Sequence, residues 1–428
     1  MLDRKFILEN AELVKTNCVH RGVQVDVDRF VELETARRAL LVELEELNRR
    51  ANEVSKSIGK AKDAPQREAR QEEGRRLRDK RDAAQQRHDE LQAEIDALQR
   101  GIPNLSHPDA PLGADDQANL EVRRGAHAPR EFSFKPADHV ELGERLDLLD
   151  FEGGARVAGH GFYFLKNEAV RLELALQQYA LGVLAGEGFT PTITPDVARN
   201  EILEGTGYIP RGNETQIYSI ENTDLSLVAT AEITLGGLLA GQVLSSAALP
   251  LRLSGISHCY RTEAGAHGRA TRGLFRVHQF TKVEMFAFTL PDQSEAMLDE
   301  LCALECRLFD GLRIPYRVVD TATGDLGGPA YRKFDLEAWM PGRGDGGEYA
   351  EVTSTSNCTD YQARRLNIRY KEPGQKGTHF VHTLNGTAIA VSRALIAILE
   401  NYQQEDGSIL VPEVLRPLAG IERIGRGG

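Results

Sequence analysis

Apolar residues recur at alternating spacings of four and three positions in two stretches of the first hundred residues. Such heptad spacing is typical of helices that pack side by side in a coiled coil. Gly59 and Pro65 lie between the two stretches and interrupt the helical pattern. The pattern therefore predicts an antiparallel helical hairpin over about residues 28–100, inside an N-terminal domain of residues 1–105. The apolar seam positions are Leu33, Leu40, Leu44, Leu47, Ala51, Val54 and Ile58, followed by Leu77, Ala84, Leu91, Ile95 and Leu98.

The pattern changes after residue 105, where the segment LSHPDAPLGADDQAN is rich in proline, glycine and aspartate. Such a composition is typical of a linker. Glycine-spaced strands and shorter helices follow it, which predicts one α+β domain over residues 106–428.

A strand-like alternation begins near residue 274. A period of two places Arg276, His278, Phe280, Lys282 and Glu284 on one face of a strand. Such a face is too polar for a core, so it is either a binding site or an exposed face with cross-strand ion pairs.

A second strand is predicted just upstream, with Arg261 and Glu263 on one face and a long Gly- and Arg-rich loop over residues 264–273. Arginines offer forked donors to phosphate oxygens, and an aromatic ring such as that of Phe280 offers a stacking surface for a base. A carboxylate can accept from an amino group. Together the two strands therefore fit a nucleotide site or an exposed face of cross-strand ion pairs equally well.

Two other segments add candidate chemistry. Residues 385–403 are apolar almost all round, which predicts a buried helix with Arg393 in its middle. Buried arginine needs an anionic or aromatic partner, so Arg393 forms an internal ion pair or faces a nucleotide. Glu351 lies in the hydroxyl-rich strand EYAEVTSTSN, where it is either structural or a magnesium ligand. The chain has no GxxxxGK[ST] loop and no GxGxxG after a strand.

Composition excludes several classes of protein. The 428 residues suffice for two domains or more, and 41% are apolar, as in soluble proteins. The charged start Met1–Lys5 lacks the apolar region of a signal peptide, and no apolar stretch is long enough to span a bilayer. These features predict a cytoplasmic protein with no membrane segment.

The cysteines predict neither disulfides nor a zinc site. No pair forms a Cys-x-x-Cys motif, and no His or Cys cluster completes a zinc ligand set. We therefore expect reduced cysteines that pack in the protein. The five are Cys18, Cys259, Cys302, Cys306 and Cys358.

Charge is unevenly distributed along the chain. The whole chain has a formal net charge of −12, yet residues 49–81 hold twelve lysines and arginines against six acids, a local net of +6. Such a segment is either an ordinary solvated helix face or a contact surface for a phosphate backbone.

These segments resemble the class II aminoacyl-tRNA synthetases, most closely the bacterial seryl-tRNA synthetases. The stretch YRTEAGAHGRATRGLFRVHQFTKVE resembles motif 2, at about 259–284, and LNGTAIAVSRALIAILENYQ resembles motif 3, at about 384–402. GEGFTPTITP, residues 186–195, is similar to the weaker motif 1, which lies at the dimer interface in the family. TAEI, residues 230–233, matches a serine-contacting strand, and the hairpin with IPNLSHPDAPLG matches the tRNA-binding arm and its linker.

The resemblance implies a catalytic domain built on an antiparallel sheet with flanking helices, preceded by a coiled-coil arm. It implies ATP-dependent attachment of L-serine to serine tRNA through a seryl-adenylate, with Mg²⁺, in a homodimer. It also implies that the arm recognises the long variable arm of the tRNA, and it leaves open whether selenocysteine tRNA is charged too.

The resemblance assigns nucleotide contacts residue by residue. Arg261 would meet the α-phosphate, Glu263 the adenine amino group and Arg276 the γ-phosphate, while Phe280 and Arg393 would stack on the two faces of adenine. The catalytic residues would be Arg261, Arg276 and Glu351, with Glu351 at Mg²⁺ and Ser354 nearby. The full set of ATP-binding candidates is Arg261, Thr262, Glu263, Arg276, Val277, Phe280, Glu351, Val352, Thr353, Ser354 and Arg393.

The resemblance likewise implies a serine pocket in which Glu284 binds the ammonium group. Thr387 stands where many relatives have serine, so the hydroxyl is kept and a methyl is added. The serine-binding candidates are Thr230, Ala231, Glu232, Arg261, Glu284, Asn385 and Thr387; the tRNA-binding candidates are Arg49, Arg50, Lys56, Lys60, Lys62, Arg75 and Arg76.

One implied pair conflicts with simple strand geometry. Glu351 and Ser354 differ in parity, so a regular strand places them on opposite faces. If both serve one metal and phosphate site, a bulge or the strand end must lie between them.

Three other functions compete with this interpretation. They are a synthetase-like ligase that charges a carrier protein, a class II synthetase for threonine or proline, and a non-enzymatic coiled-coil protein with a degenerate synthetase fold. The basic arm disfavours the first, and the presence of Arg261, Glu263, Glu284 and Arg393 disfavours the third. The zinc-dependent methanogen type of seryl enzyme is disfavoured by the missing cysteine ligands.

Overall fold

The computed structural model describes residues 1–208, 216–263 and 272–425. The chain divides into two compact units, Met1–Leu105 and Ser106–Gly428. Residues 264–271 of the predicted Gly- and Arg-rich loop lie outside the described residues. In the described part, no helix combines the length and the apolarity needed to cross a bilayer.

The first unit is helical, and its two long helices form the predicted hairpin. Leu44 and Leu47 of the first long helix are buried against Leu77 and Ala84 of the second. The second long helix starts at Ala64, so two residues of the predicted break, Ala64 and Pro65, belong to the helix. Pro65 sits in its first turn, where a missing N–H costs nothing, and the Asp63 carboxylate accepts from the Gln66 N–H at 2.8 Å. The helices are α1 (Arg4–Glu9), α2 (Ala11–His20), α3 (Val27–Ile58) and α4 (Ala64–Gly101).

The second unit combines helices with a large antiparallel sheet. Its helices are α5 (His139–Arg145), α6 (Phe151–Ala158), α7 (Glu168–Gly186), α8 (Asn200–Thr206), α9 (Ala231–Gly237), α10 (Ser294–Gly311), α11 (Tyr361–Leu366), α12 (Val391–Asn401) and α13 (Arg416–Ala419).

The strands of this unit are β1 (Leu120–Arg124), β2 (Leu149–Asp150), β3 (Phe164–Leu165), β4 (Thr190–Ile193), β5 (Val197–Arg199), β6 (Leu225–Leu227), β7 (Val243–Ser245), β8 (Leu251–Tyr260), β9 (Gln279–Thr289), β10 (Tyr316–Asp320), β11 (Arg332–Met340), β12 (Glu348–Asn357), β13 (Arg369–Lys371), β14 (His379–Phe380), β15 (His382–Ala390), β16 (Ile409–Leu410) and β17 (Arg423–Ile424).

The main sheet has eight strands in the order β1-β10-β11-β12-β15-β9-β8-β4. Neighbouring strands are antiparallel except β4, which is parallel to β8 at one edge. The helices α7, α10 and α12 pack their apolar faces on this sheet and form the main core with it. The predicted α+β class, with a helical arm and an antiparallel sheet, is therefore confirmed.

Three local expectations were wrong. Strand β8 ends at Tyr260, so Arg261 and Glu263 follow the strand rather than share its face, and Glu263 takes a positive φ of 50°. Residues 230–233 begin helix α9, with Thr230 as its N-cap, instead of forming a strand. Residues 385–390 belong to strand β15, so Arg393 lies in the first turn of α12 and not in the middle of a longer helix.

Candidate active site

A cleft opens on the large sheet where β12 and β15 separate. These two strands are paired only between Thr355–Asn357 and Leu384–Gly386, while β15 continues along β9 on its other side. The cleft offers a volume of about 110 Å³ to the centres of water-sized molecules, and its walls come from β9, β12, β15 and the first turn of α12, together with residues that precede β9. Arginine, lysine and glutamate side chains account for much of its lining, which suits a charged ligand.

Arg261 and Phe280 lie together in the cleft. The Arg261 guanidinium carbon is 5.3 Å from the centre of the Phe280 ring, and its Nε donates to the carbonyl oxygen of Ala229 at 3.4 Å. Arg276 and Glu263 also pair there, with 3.3 Å between Nη1 and Oε2. Two arginine forks and an aromatic face in one cleft suit the phosphates and base of a nucleotide.

Arg393 reaches the cleft from α12 and is held by two neighbours. Its Nη1 donates to the carbonyl oxygen of Glu351 at 3.0 Å and lies 3.2 Å from the Glu351 carboxylate. Its guanidinium carbon is 4.7 Å from the centre of the Phe275 ring. Arg393 therefore satisfies its charge on an anion and an aromatic ring at once, as a largely buried arginine requires.

Strand β12 contains the bulge that the parity of Glu351 and Ser354 required. Against β11, Thr353 pairs with Leu336 but Glu351 pairs with Glu337, so one extra residue, Val352, is accommodated between them. The hypothesis of a bulge is confirmed, and both Glu351 and Ser354 line the cleft.

The Glu351 carboxylate is the exposed anion of this wall, with 46% of its side chain accessible. Partial desolvation acts to raise its pKa, but the charges of Arg393, Lys333 and Arg261 outweigh it and leave the pKa below the usual value. Glu351 is therefore ionised at neutral pH and presents oxygen ligands to the cleft.

Glu232 lies buried at one end of the cleft with several donors around it. Gln362 Nε2 donates to its Oε1 at 2.7 Å, Asn385 Nδ2 donates to the same oxygen at 3.1 Å, and Tyr208 Oη donates to Oε2 at 3.2 Å. Burial, and then the nearby carboxylate of Glu284, raise the pKa of Glu232 to about 7.

Glu284, Lys282 and Thr387 form a second buried polar group beside Glu232. Lys282 and Glu284 lie two residues apart on β9 and make an ion pair. Lys282 Nζ donates to Thr387 Oγ1 at 3.3 Å, and Thr387 Oγ1 donates to Glu284 Oε2 at 3.3 Å. Two carboxylates, one ammonium and a hydroxyl in a small space are suited to a zwitterionic ligand that also carries a hydroxyl.

The structure brings most of the predicted site residues together. The predicted residues that line the cleft are Glu232, Arg261, Glu263, Arg276, Val277, Phe280, Glu284, Glu351, Val352, Thr353, Ser354, Asn385, Thr387 and Arg393. Thr230, Ala231 and Thr262 do not line it; Thr230 and Ala231 are buried, and the Thr230 hydroxyl accepts from the Glu232 N–H at 3.2 Å. Thr230 therefore acts on the cleft through Glu232.

Sequence reasoning missed several contributors. Tyr208, Phe275, Lys282, Ala390 and Ser392 also line the cleft, and Gln362 supports it from α11. The alternation in β9 correctly predicts that Lys282 lies on the polar face, but it does not predict the contacts of Lys282 with Glu284 and Thr387.

The seven arm candidates are all exposed in the helical unit. Arg49 lies within ion-pair distance of Glu46 and Glu53, each at 2.6 Å, and Glu72 is 3.0 Å from Arg75 and 3.5 Å from Arg76. Arg50, Lys56, Lys60 and Lys62 form no comparable ion pair with any described residue. These four cations lie at or towards the tip of the hairpin.

Comparisons with known proteins agree with this architecture. The family described as "Seryl-tRNA synthetase N-terminal domain" matches residues 1–106, and "tRNA synthetase class II core domain (G, H, P, S and T)" matches residues 216–402. The chain is 65% identical to the serine–tRNA ligase of Rhodopirellula baltica and 57% identical to that of Rubrobacter xylanophilus, over 99% of each chain. It is 39% identical to a seryl-tRNA synthetase of Pyrococcus horikoshii solved with ATP, at a TM-score of 0.93 over 100% of both chains.

The antiparallel sheet and its cleft are thus those of a class II aminoacyl-tRNA synthetase core. With the helical hairpin and relatives of this identity along its whole length, the chain belongs to the seryl-tRNA synthetase family.

Proposed function

We propose that the cleft activates L-serine with ATP and that the enzyme then transfers the serine to tRNA, as the names of its relatives state for them. The observation that carries this proposal is the adjacency of two sites in one cleft. Arg261, Arg276 and Phe280 offer contacts for a nucleotide, and the pocket of Glu232 and Glu284 beside them offers contacts for a small hydroxy amino acid.

In the nucleotide part, Arg261 binds the α-phosphate and Arg276 the γ-phosphate. Glu263 accepts from the adenine amino group, the backbone near Val277 contacts the nucleotide, and Phe280 stacks on one face of the base. Arg393 then stacks on the other face, for which its guanidinium must leave at least part of its contact with Glu351.

In the amino-acid part, Glu284 accepts from the serine ammonium and Glu232 meets the serine hydroxyl. Asn385 and Thr387 line the far side of the pocket. Alanine is rejected because it has no hydroxyl to donate to Glu232, and the loss of a hydrogen bond in a polar pocket discriminates more strongly than a missing methylene.

Mg²⁺ fits the wall formed by β12. Glu351 is ionised and accessible, and the bulge brings the Ser354 hydroxyl to the same cleft, so the donor set is oxygen-based as Mg²⁺ prefers. When bound there, Mg²⁺ would neutralise phosphate charge and make the α-phosphorus more electrophilic.

The chemistry follows from these positions. An oxygen of the serine carboxylate attacks the α-phosphorus, a new O–P bond forms, and the bond to the pyrophosphate oxygen breaks. Arg261 stabilises the charge that develops on the α-phosphate, and Arg276 steadies the leaving pyrophosphate. The terminal ribose hydroxyl of tRNA then attacks the seryl carbonyl, and AMP leaves. Positioning and electrostatics carry most of this rate.

Residues 1–105 would serve as the tRNA-binding domain and residues 106–428 as the catalytic domain. The hairpin would clasp the long variable arm of serine tRNA by its exposed basic residues. A homodimer is supported by motif 1, because β4 lies at the sheet edge and Ile193 is 83% exposed. We infer a cytoplasmic enzyme.

The deciding experiment is amino-acid-dependent ATP–pyrophosphate exchange without tRNA, tested with all twenty amino acids. Exchange with serine alone supports the proposal, and exchange with threonine or proline would replace the substrate. An absence of exchange in folded protein with Mg²⁺ would contradict an active enzyme. Arg261→Ala should abolish exchange, whereas Arg313→Ala, which removes a surface ion pair with Glu413, should not.

A further inference from the structure

His139, the first residue of α5, makes a set of hydrogen bonds outside the active-site cleft. Its backbone N–H and its Nδ1 lie 3.1 and 2.9 Å from Oε1 of Glu400, which is buried on α12. Its Nε2 lies 3.1 Å from the backbone nitrogen of Leu274. Because the Leu274 N–H can only donate, Nε2 accepts and the proton sits on Nδ1, where Glu400 accepts it.

Leu274 immediately precedes residues of the nucleotide part of the cleft. Phe275, Arg276 and Val277 all line it. Two guanidinium groups contact the Phe275 ring, that of Arg393 at 4.7 Å and that of Arg343 at 4.4 Å from its centre. Phe275 also lines a second cavity that includes His139 and Glu400, so its ring is a wall between the two.

The same stretch has further contacts with the start of α5. Arg272 donates to the Asp138 carboxylate at 3.0 Å. Gly273 has a φ of +80°, and a Cβ there would lie only 2.1 Å from His139 Nε2. The backbone at residues 272–274 is thus fitted closely against residues 138–139.

Glu400 extends this arrangement to a third segment. Its Oε2 accepts from the Gly342 N–H at 2.9 Å, next to Arg343, whose guanidinium also contacts the Phe275 ring. One buried histidine–glutamate pair therefore connects the residue before Phe275, the residue before Arg343 and the helix that carries Arg393.

We propose that His139 is a positioning residue for ATP binding, acting through its bond to the Leu274 N–H. This inference rests on the proposed function of the cleft. The bond fixes the backbone that presents Phe275 and Arg276, and Phe275 in turn holds the guanidinium of Arg393. His139 does not line the cleft and does not contact the serine pocket. Its substitution should therefore change the KM for ATP and not the KM for serine.

Two substitutions separate the two bonds of the imidazole. The substitution His139→Gln would place an amide oxygen near the position of Nε2, so the new side chain can still accept from Leu274. The shorter side chain in His139→Asn keeps a donor near Nδ1 for Glu400 but provides no acceptor for Leu274. We expect His139→Asn to raise the KM for ATP in exchange by roughly 3- to 10-fold, as the loss of one hydrogen bond predicts, with the KM for serine within about twofold.

His139→Gln should stay within about twofold of the parent enzyme in both constants. Equal impairment by both substitutions, a parallel rise in the serine KM, or an unchanged ATP KM in folded His139→Asn would each overturn the proposal. His107→Asn is the matched control, because this partly buried histidine of the same unit makes an edge-to-face contact with Tyr331, and neither residue lines the cleft.

Gly273→Ala decides the question if His139→Asn does not fold, as judged by circular dichroism. The added methyl pushes on Nε2 and also strains the backbone of residue 273, whose φ is +80°, so the bond from Leu274 to His139 is disturbed while the histidine is unchanged. The ATP KM should therefore rise and the serine KM should not. An unchanged ATP KM would overturn the proposal. If the parent enzyme shows no serine-dependent exchange, the proposed function fails, and equilibrium dialysis with labelled ATP on the same variants still decides the role of His139.

Discussion

The side chain of Arg393 is bound to Glu351, with its Nη1 3.0 Å from the Glu351 carbonyl oxygen and 3.2 Å from the carboxylate. Phe280, the expected aromatic partner across the adenine, instead lies under Arg261 at 5.3 Å. The two arginines thus each contact an aromatic ring and an acceptor of the protein itself. ATP binding must exchange these contacts for contacts with the base and phosphates. The contribution of Arg393 to ATP affinity is therefore the difference between its contacts with ATP and its contacts with Glu351 and Phe275.

Arg393→Ala should reduce kcat/KM for ATP by about 10- to 100-fold, because base stacking on a guanidinium contributes about 1–3 kcal/mol. The measurement is serine-dependent ATP–pyrophosphate exchange at varied ATP. Arg313→Ala is the control, since Arg313 is 59% exposed and pairs with Glu413 on the surface. A loss below about threefold would mean that Arg393 only closes the cleft through Glu351.

The KM for serine should depend on the protonation of Glu232, whose pKa is about 7. The ionised carboxylate accepts from Gln362, Asn385 and Tyr208, and protonation replaces one acceptor by a donor. We therefore expect the serine KM to rise as the pH falls from about 8 to about 6, approaching about tenfold per unit below the pKa.

Glu232→Gln provides the test of this assignment, because an amide does not titrate in that range. The variant should have a high serine KM that no longer varies between about pH 6 and pH 8. A pH dependence that persists in Glu232→Gln belongs to another group and would refute the assignment. The ATP KM, measured in the same reactions, should not follow the serine KM.

The sequence predicted those features of the site that depend on a pattern within one strand or helix. The alternation in β9 correctly put Phe280, Lys282 and Glu284 on one face, because β9 is a regular strand. The same rule failed for Glu263, since β8 ends at Tyr260 and the backbone turns with a positive φ. Alternation carries no information on where a strand ends.

The apolar run around Arg393 was misassigned for a related reason. A buried strand and a buried helix have the same composition, so residues 385–390 were predicted as helix although they pair with β9. The sequence did not predict contacts between residues that are far apart along the chain. Gln362 contacts Glu232 across 130 positions of the chain, and no periodicity within α11 indicates that contact.

Glu305 should make stability depend on pH in the direction opposite to a carboxylate whose pKa is lowered by an ion pair. This carboxyl is 1% exposed on α10, where Thr353 Oγ1 donates to its Oε2 at 3.2 Å. Burial first, and then the charge of nearby groups such as Cys306, raise its pKa well above the usual 4.5. The folded chain thus holds a proton that the unfolded chain has released, so stability falls as the pH rises above about 4.5.

Glu305→Gln should remove this loss, because the amide stays neutral in both states. The difference in unfolding free energy, variant minus parent, should grow by up to about 1.4 kcal/mol per pH unit as the pH rises above about 4.5, until the folded-state carboxyl ionises. Thermal unfolding monitored by circular dichroism at several pH values measures it. Asp299→Asn, at an exposed position of the same helix, is the control. A difference that does not change with pH would show that Glu305 is ionised in the folded enzyme.

The hairpin should be separable from amino-acid activation. Its apolar seam falls into two clusters, one around Leu44 and Leu77 in the distal part and one around Leu33, Leu91 and Ile95 near the start of the chain. Replacement of residues 41–81 by a short glycine–serine turn keeps the second cluster intact. We expect serine-dependent exchange within about twofold of the parent and a loss of tRNA charging on the order of 100-fold, because the backbone contacts are removed.

The charges at the tip allow a finer version of this experiment. Lys60 and Lys62 are exposed and form no ion pair with any described residue, whereas Arg49 is held by Glu46 and Glu53. A cation that is already neutralised by its neighbours gains less from a phosphate, because it must give up those pairs. The double variant Lys60→Ala/Lys62→Ala should therefore raise the KM for tRNA and lower the slope of log KM against log salt by about two, and Arg49→Ala should change it less. If Arg49→Ala changed the slope as much as the double variant does, the unpaired lysines would not be the stronger phosphate contacts. In the preceding experiment, loss of exchange in the truncated enzyme would show that the hairpin is required for serine activation itself.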